Sequence, residues 1–119
     1  MYELKVLFAT SEVAPLIKTG GLADVSGALP VALRNIGVDV HVLVPGYQQV
    51  IAQLVQHEVV ATFDALPGFP AARLLSGTLA NAVPLLVLDC PALYQRAGGP
   101  YQDTKGHDWT DNAQRFGLL

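Results

Sequence analysis

A single cysteine, Cys90, stands among the 119 residues. It excludes an internal disulfide and offers no thiolate cluster to a metal ion. Charge is scarce too: 14% of residues are Asp, Glu, Lys or Arg, with seven basic against ten acidic side chains and a net charge of −3. Such a chain presents no basic field to nucleic acid or to an anionic membrane surface, so neither is an expected partner, and any anion must be held by local groups. His41, His57 and His107 are not at metal-ligand spacing, and no metal is expected. Long apolar stretches are also missing. The 51% of hydrophobic residues comes in short runs broken by proline and glycine, as in a globular chain, which argues against disorder and against a membrane-spanning helix. Met1-Tyr2-Glu3-Leu4-Lys5 enters a strand pattern at once, without the basic segment, apolar core and cleavage site of a secretory leader. The expected compartment is the reducing cytoplasm.

What is present reads as alternating strands and helices. Leu4-Lys5-Val6-Leu7-Phe8-Ala9 is a short apolar run, as expected of a buried strand, that opens at Thr10-Ser11-Glu12 into a loop. From Leu22 the residues Leu22, Val25, Leu29, Ala32 and Ile36 step by three and four along one helix face, with Gly37 where a C-terminal cap is wanted. Pro30 lies inside this pattern and predicts a kink near Ser26-Gly27 or a helix in two pieces. The β-branched run 38–44, ending at Pro45-Gly46, supplies a second strand and completes a β-α-β unit with parallel strands. A short helix over 48–54 and strands over 58–63, 73–79 and 83–88 follow. Two prolines and a glycine within 65–70 predict a turn between antiparallel strands. Residues 95–108 form a polar, Gly-rich loop, and Asp108-Trp109-Thr110 precedes a last helix over 111–116. The length allows at most one domain and is short for a complete doubly wound fold; with a last helix of about two turns, a fragment of something longer is expected.

Lys18-Thr19-Gly20-Gly21-Leu22, between the first strand and the first helix, carries the clearest chemical signal. Paired glycines let the main chain approach a ligand closely, and their amides sit where a helix leaves its first N–H groups unpaired and its dipole positive. Lys18 adds a mobile cation, so the loop suits a phosphorylated ligand. The spacing is neither that of a P-loop nor G-x-G-x-x-G. Several neighbours admit two readings. Glu12 either lines a ligand groove or caps the following loop. Asp24 in the first helical turn either meets a ligand or serves the helix dipole. Asp111 and Asn112 either contact a ligand or cap the last helix, and Arg115, four residues on from Asp111, is placed to pair with it. Tyr101 and Trp109 either stack on a ligand or fill core space; Tyr101 is assigned to the ligand and Trp109 to the core.

In order, Ser11-Glu12-Val13-Ala14-Pro15-Leu16-Ile17-Lys18-Thr19-Gly20-Gly21-Leu22-Ala23-Asp24-Val25 closely resembles the opening of bacterial glycogen synthases and plant starch synthases. Val44-Pro45-Gly46-Tyr47, Leu93-Tyr94-Gln95-Arg96 with Gly99-Pro100-Tyr101, and 108–116 agree with the same family in the same order. Gln95 stands where the family usually has an acidic residue and Ala97 where it usually has proline, and 53–82 is generic. The resemblance implies an α/β, Rossmann-like parallel sheet with a β-hairpin insertion, forming part of the N-terminal domain of a two-domain, GT-B type glycosyltransferase. It implies a retaining transfer of glucose from ADP-glucose to the non-reducing end of an α-1,4-glucan, with no cofactor. Lys18, Gly20 and Gly21 would hold the donor, and Glu12, Asp24, Tyr101, Asp111 and Asn112 the sugar or acceptor. The family's essential histidine and catalytic glutamate lie beyond Leu119, so the isolated chain is expected to be inactive. A non-catalytic module binding a phosphorylated ligand or glucan, and a sister enzyme using UDP-glucose or making starch, are the alternatives.

Overall fold

A computed structural model describes residues 4–119; the strand pattern read at Met1, Tyr2 and Glu3 lies outside them. The chain runs β1 (Lys5–Ala9), α1 (Gly21–Asn35), β2 (Asp39–Pro45), α2 (Gln48–Gln53), β3 (Glu58–Phe63), β4 (Ala72–Thr78), β5 (Pro84–Asp89), α3 (Pro91–Tyr94) and α4 (Asn112–Leu118). One sheet orders its strands β1-β2-β5-β4-β3. β1, β2 and β5 are mutually parallel, with Val6 opposite Val40 and Val44 opposite Val87. β3 and β4 form an antiparallel hairpin through the turn at Leu66 and Phe69, and β4 continues antiparallel onto β5. The β-α-β unit and the hairpin insertion are both present. The short helix α3 had no separate signal in the sequence.

The core lies over the two central parallel strands. Val40, Val42, Val44, Leu85 and Val87 are essentially inaccessible, joined by Val13 from the loop after β1 and Val50 from α2. Burying each such side chain is worth about 1.5–3 kcal/mol, which explains why both strands read as nearly unbroken apolar runs.

One expectation about packing is overturned, and one face the sequence left unoriented is resolved. β1 is an edge strand with Leu7 58% exposed, not a buried one. The apolar face of α1 points outward: Leu22, Val25, Leu29 and Ile36 are exposed, while Ala23, Ser26 and Pro30 are buried. The cause is close approach. The Ala14 amide donates to the Ala23 carbonyl at 3.0 Å, and a Cβ on Gly27 would come within 3.1 Å of the Ala14 carbonyl oxygen. Only small residues fit that contact, so the larger ones occupy the other side. α1 also passes through Pro30 as one helix rather than two. It ends as expected at Gly37, whose φ is +91°: the Gly37 amide donates to the Arg34 carbonyl and the Val38 amide to the Leu33 carbonyl, both at 3.0 Å, the paired bonds of a Schellman cap.

Candidate functional site

Because β1, β2 and β5 are parallel, the loops that follow them leave the sheet at the same end, where open α/β sheets gather ligands. The Thr10 amide donates to the Leu43 carbonyl of β2 at 2.9 Å and the Gly46 amide to the Leu88 carbonyl of β5 at 2.7 Å, tying the loops after β1 and β2 to the neighbouring strand. Gly46 is required there, since a Cβ would sit 2.9 Å from the Leu88 carbonyl oxygen. The N-terminus of α1 opens at this end as well.

Glu12 organises the cluster. It is 1% exposed, and both carboxylate oxygens are engaged. Oε1 accepts from the Gly20 and Ala23 amides at 3.2 and 3.1 Å, while Oε2 accepts from the Thr19 and Tyr101 hydroxyls at 2.5 and 2.9 Å. These donors use the acceptor capacity of an ionised carboxylate. Burial pushes the Glu12 pKa up, but the four hydrogen bonds outweigh it and hold the carboxyl below its ordinary value. Of the two readings open for Glu12, the arrangement is that of a cap, with no oxygen left for a sugar hydroxyl.

Lys18 and Asp24 form an exposed ion pair, Nζ lying 2.7 and 2.8 Å from the two carboxylate oxygens. The glycines divide their roles. Gly20 is the N-cap of α1, and its amide is turned inward to Glu12. Among the described residues no acceptor meets the Gly21 and Leu22 amides. A Cβ on Gly20 or Gly21 would meet nothing within 4 Å, and neither has a positive φ. Neither fold packing nor backbone conformation demands these two glycines; the space beside them is open.

The loop from Gln95 to Asp111 closes the other side. Tyr101, half-buried, donates to Glu12 and lies 2.6 Å from the Ser11 hydroxyl, which is then left to donate to it. Burial first, and then the neighbouring carboxylate, raise the Tyr101 pKa despite the Ser11 bond. Asp111 takes a two-point ion pair from Arg96 at 2.8 and 2.6 Å, and this holds its carboxyl below the ordinary value. It occupies the N-cap position of α4 without a side-chain capping bond. Arg115 therefore does not pair with Asp111 as expected. It is buried and donates to the Leu93 and Pro100 carbonyls and the Asn112 side-chain oxygen. The Asn112 Nδ2 in turn donates to the Tyr101 carbonyl at 3.1 Å. Trp109 is half-buried between the guanidinium groups of Arg96 and Arg115, 5.1 and 5.4 Å from its ring centre, with Nε1 donating to the Gly99 carbonyl.

The structure thus brings together Glu12, Thr19, Gly20 and Tyr101 by direct contact, with Lys18 and Asp24 beside them, and sets Asp111 and Asn112 into the framework of the second loop. Ser11, Thr19 and Arg96 were not singled out by the sequence as members of this network, and Arg115 was singled out for a different partner. A carboxylate ahead of a glycine-rich helix start was the one signal that could have pointed to Thr19 as its partner. Among the described residues no three His, Cys, Asp or Glu side chains gather to hold a metal ion, and no helix is long and apolar enough to cross a membrane.

Comparison with known proteins agrees with this architecture. The family model for the starch synthase catalytic domain matches residues 5–119. A glycogen synthase of Nitrosomonas eutropha is 59% identical over 98% of this chain and 24% of its own length. One from Aromatoleum aromaticum is also 59% identical with the same coverage, and one from Dechloromonas aromatica is 52% identical over the full chain. The chain spans about a quarter of the length of these curated relatives. The catalytic domain of starch synthase IV from Arabidopsis thaliana, solved with ADP and acarbose, shares the fold at a TM-score of 0.64 and 24% identity, over 87% of this chain and 22% of that one.

Proposed function

This chain belongs to the starch synthase catalytic domain family, and on that premise we propose that it forms part of a glycogen synthase transferring glucose from ADP-glucose to the non-reducing end of an α-1,4-glucan. The observation that carries the reading is the opening of α1: two amides that no acceptor meets among the described residues, two glycines with open space at their Cβ positions and an exposed lysine paired only with Asp24, all at the carboxyl ends of parallel strands. Oriented amides and a lysine stabilise negative charge where it develops. Here that charge is on the departing diphosphate. The bond between the sugar C1 and the phosphate oxygen breaks, its electron pair leaves with ADP, and the acceptor hydroxyl oxygen bonds to C1 on the same face. The hydroxyl proton passes to the leaving phosphate.

Within this scheme the Gly21 and Leu22 amides meet the diphosphate. Lys18 exchanges Asp24 for it, at small cost because an exposed ion pair contributes only about 0–1 kcal/mol. Glu12 shapes the loop rather than touching the sugar, and Tyr101 presents its ring to the glucan. The other partner groups come from the rest of the enzyme, since catalysis in a two-domain transferase requires closure over the donor. The isolated chain is inactive on this account, and the expected compartment remains the cytoplasm.

Glucose transfer onto glycogen from ADP-glucose, and separately from UDP-glucose, tests the proposal with protein expressed from the complete reading frame and the 119-residue chain alongside. Transfer from ADP-glucose by the long form alone is expected. No transfer from either donor would overturn the reading, and preference for UDP-glucose would replace the donor.

A further inference from the structure

Arg115 presents a contradiction that its surroundings resolve. A guanidinium cannot shed its charge in practice and is seldom buried without a carboxylate. This one is 1% exposed, and among the described residues no Asp or Glu lies within ion-pair distance of it. Its partners are instead the Leu93 carbonyl, met by Nε at 2.8 Å, and the Pro100 carbonyl and Asn112 Oδ1, met by Nη1 at 2.7 and 2.8 Å. Aromatic rings surround its plane, those of Trp109 and Phe116 being nearest at 5.4 and 5.6 Å.

The two carbonyls flank the start of the Gly-rich loop. Pro100 directly precedes Tyr101, whose hydroxyl donates to Glu12, whose carboxylate holds the Thr19 hydroxyl and the Gly20 amide. We propose that Arg115 is a positioning residue for glucosyl transfer, clamping the Leu93–Pro100 span so that Tyr101 is seated on Glu12 and the glycine loop is held in register with the sugar-side loop. The inference rests on the function proposed above. It explains why the position carries arginine: one planar group reaches two separated carbonyls and stacks on rings at once, which the point charge of a lysine cannot do. Its only net role is geometric, because it touches neither loop glycine and neither member of the Lys18–Asp24 pair.

The test uses the full-length enzyme, with Arg115→Lys, Tyr101→Phe and the double variant compared for kcat, KM and melting temperature. Displacement of a site through its supports costs on the order of 100-fold in rate, so Arg115→Lys is expected to lower kcat/KM by about that factor. In the Tyr101→Phe background, where the link to Glu12 is already cut, the same change is expected to cost less than about threefold, since residues acting as one unit are non-additive. Equal losses in both backgrounds, or parental turnover by Arg115→Lys, would overturn the proposal. If Arg115→Lys does not fold, Tyr101→Phe decides alone. A loss of about tenfold or more at an unchanged melting temperature supports the clamp, and parental turnover refutes it. Glucose transfer by the parental enzyme separately tests the underlying function, so the two failures are distinguishable.

Discussion

The Tyr101 hydroxyl reaches across 89 positions of sequence to donate to the Glu12 carboxylate at 2.9 Å. That bond joins the loop after β1 to the loop before α4, and Glu12 carries amide donors on one oxygen and hydroxyl donors on the other. Glu12→Gln tests whether the carboxylate itself is needed. The amide can keep one oxygen for the Gly20 and Ala23 amides, but its NH2 must then face two hydroxyls that have been donating. Loss of hydrogen bonds to a charged group costs about 1.5–3 kcal/mol. We expect urea unfolding of the full-length variant to report a destabilisation of that size with a larger fractional loss of glucose transfer; parental values of both would contradict the role assigned to Glu12.

Acid should undo the same cluster. The Glu12 and Asp111 pKa values are both held below the ordinary value in the folded protein, so the folded state binds fewer protons than the unfolded chain as pH falls into the carboxyl range. Their contribution to stability is fully present above the unfolded-state values and is lost as pH falls through the folded ones. Melting temperature measured from about pH 6 to about pH 3 should decline, and more shallowly in Asp111→Asn than in the parent. An identical slope in parent and variant would remove Asp111 from the account.

Gly21→Ala separates fold from function. A Cβ there meets nothing within 4 Å, and alanine is favoured over glycine inside a helix by about 0.5–1 kcal/mol. Stability is expected to hold or rise while KM for ADP-glucose increases, because the methyl group occupies the approach to the amides. An unchanged KM would place the diphosphate elsewhere.

Lys18→Ala should show the same separation from the charge side. The exposed pair with Asp24 contributes about 0–1 kcal/mol to stability, whereas loss of the cation is expected to lower kcat by on the order of 100-fold, as removal of one oriented charge-stabilising donor does. Steady-state kinetics beside a thermal melt make the comparison, and a fall in melting temperature without a fall in turnover would reverse the assignment.

Ala82 stands at φ +68° in the tight connection between β4 and β5, where the Ala82 amide donates to the Leu79 carbonyl and the Leu79 amide to the Val83 carbonyl, each at 2.9 Å. The left-handed conformation costs a residue with a Cβ about 1–2 kcal/mol. After allowance for the greater freedom of glycine in the unfolded chain, Ala82→Gly is expected to stabilise by about 0.5–1 kcal/mol in a urea titration, with kinetics unaltered. A destabilised variant would show that the strain is absent.

The strands and the hairpin were legible because their signals are local: β-branched runs ending at Pro45-Gly46 and a turn rich in proline and glycine before β4. The cap at Gly37 was legible for the same reason. Periodicity identified one face of α1 but not which way it turns, since that depends on the distant Ala14 backbone, which bonds to Ala23 and closes on Gly27. The spacing of Asp111 and Arg115 suggested a pair, yet Arg96 from the preceding loop takes the carboxylate and frees Arg115 for the interior. Side chains whose partners lie across a loop leave no period in the sequence. Glu12 was half legible: its place beside the glycine loop was readable, but its bond to Tyr101 required the fold.

The shared direction of β1, β2 and β5 divides the molecule into two ends with unequal tolerance for change. Every loop bearing on the proposed chemistry leaves from the carboxyl ends of these strands, while the connection 80–82 sits at the amino end of β5. A library randomised at 80–82 would therefore sample stability at the end of the sheet opposite the glycine loop, and a reporter group attached there would travel with the sheet at that end.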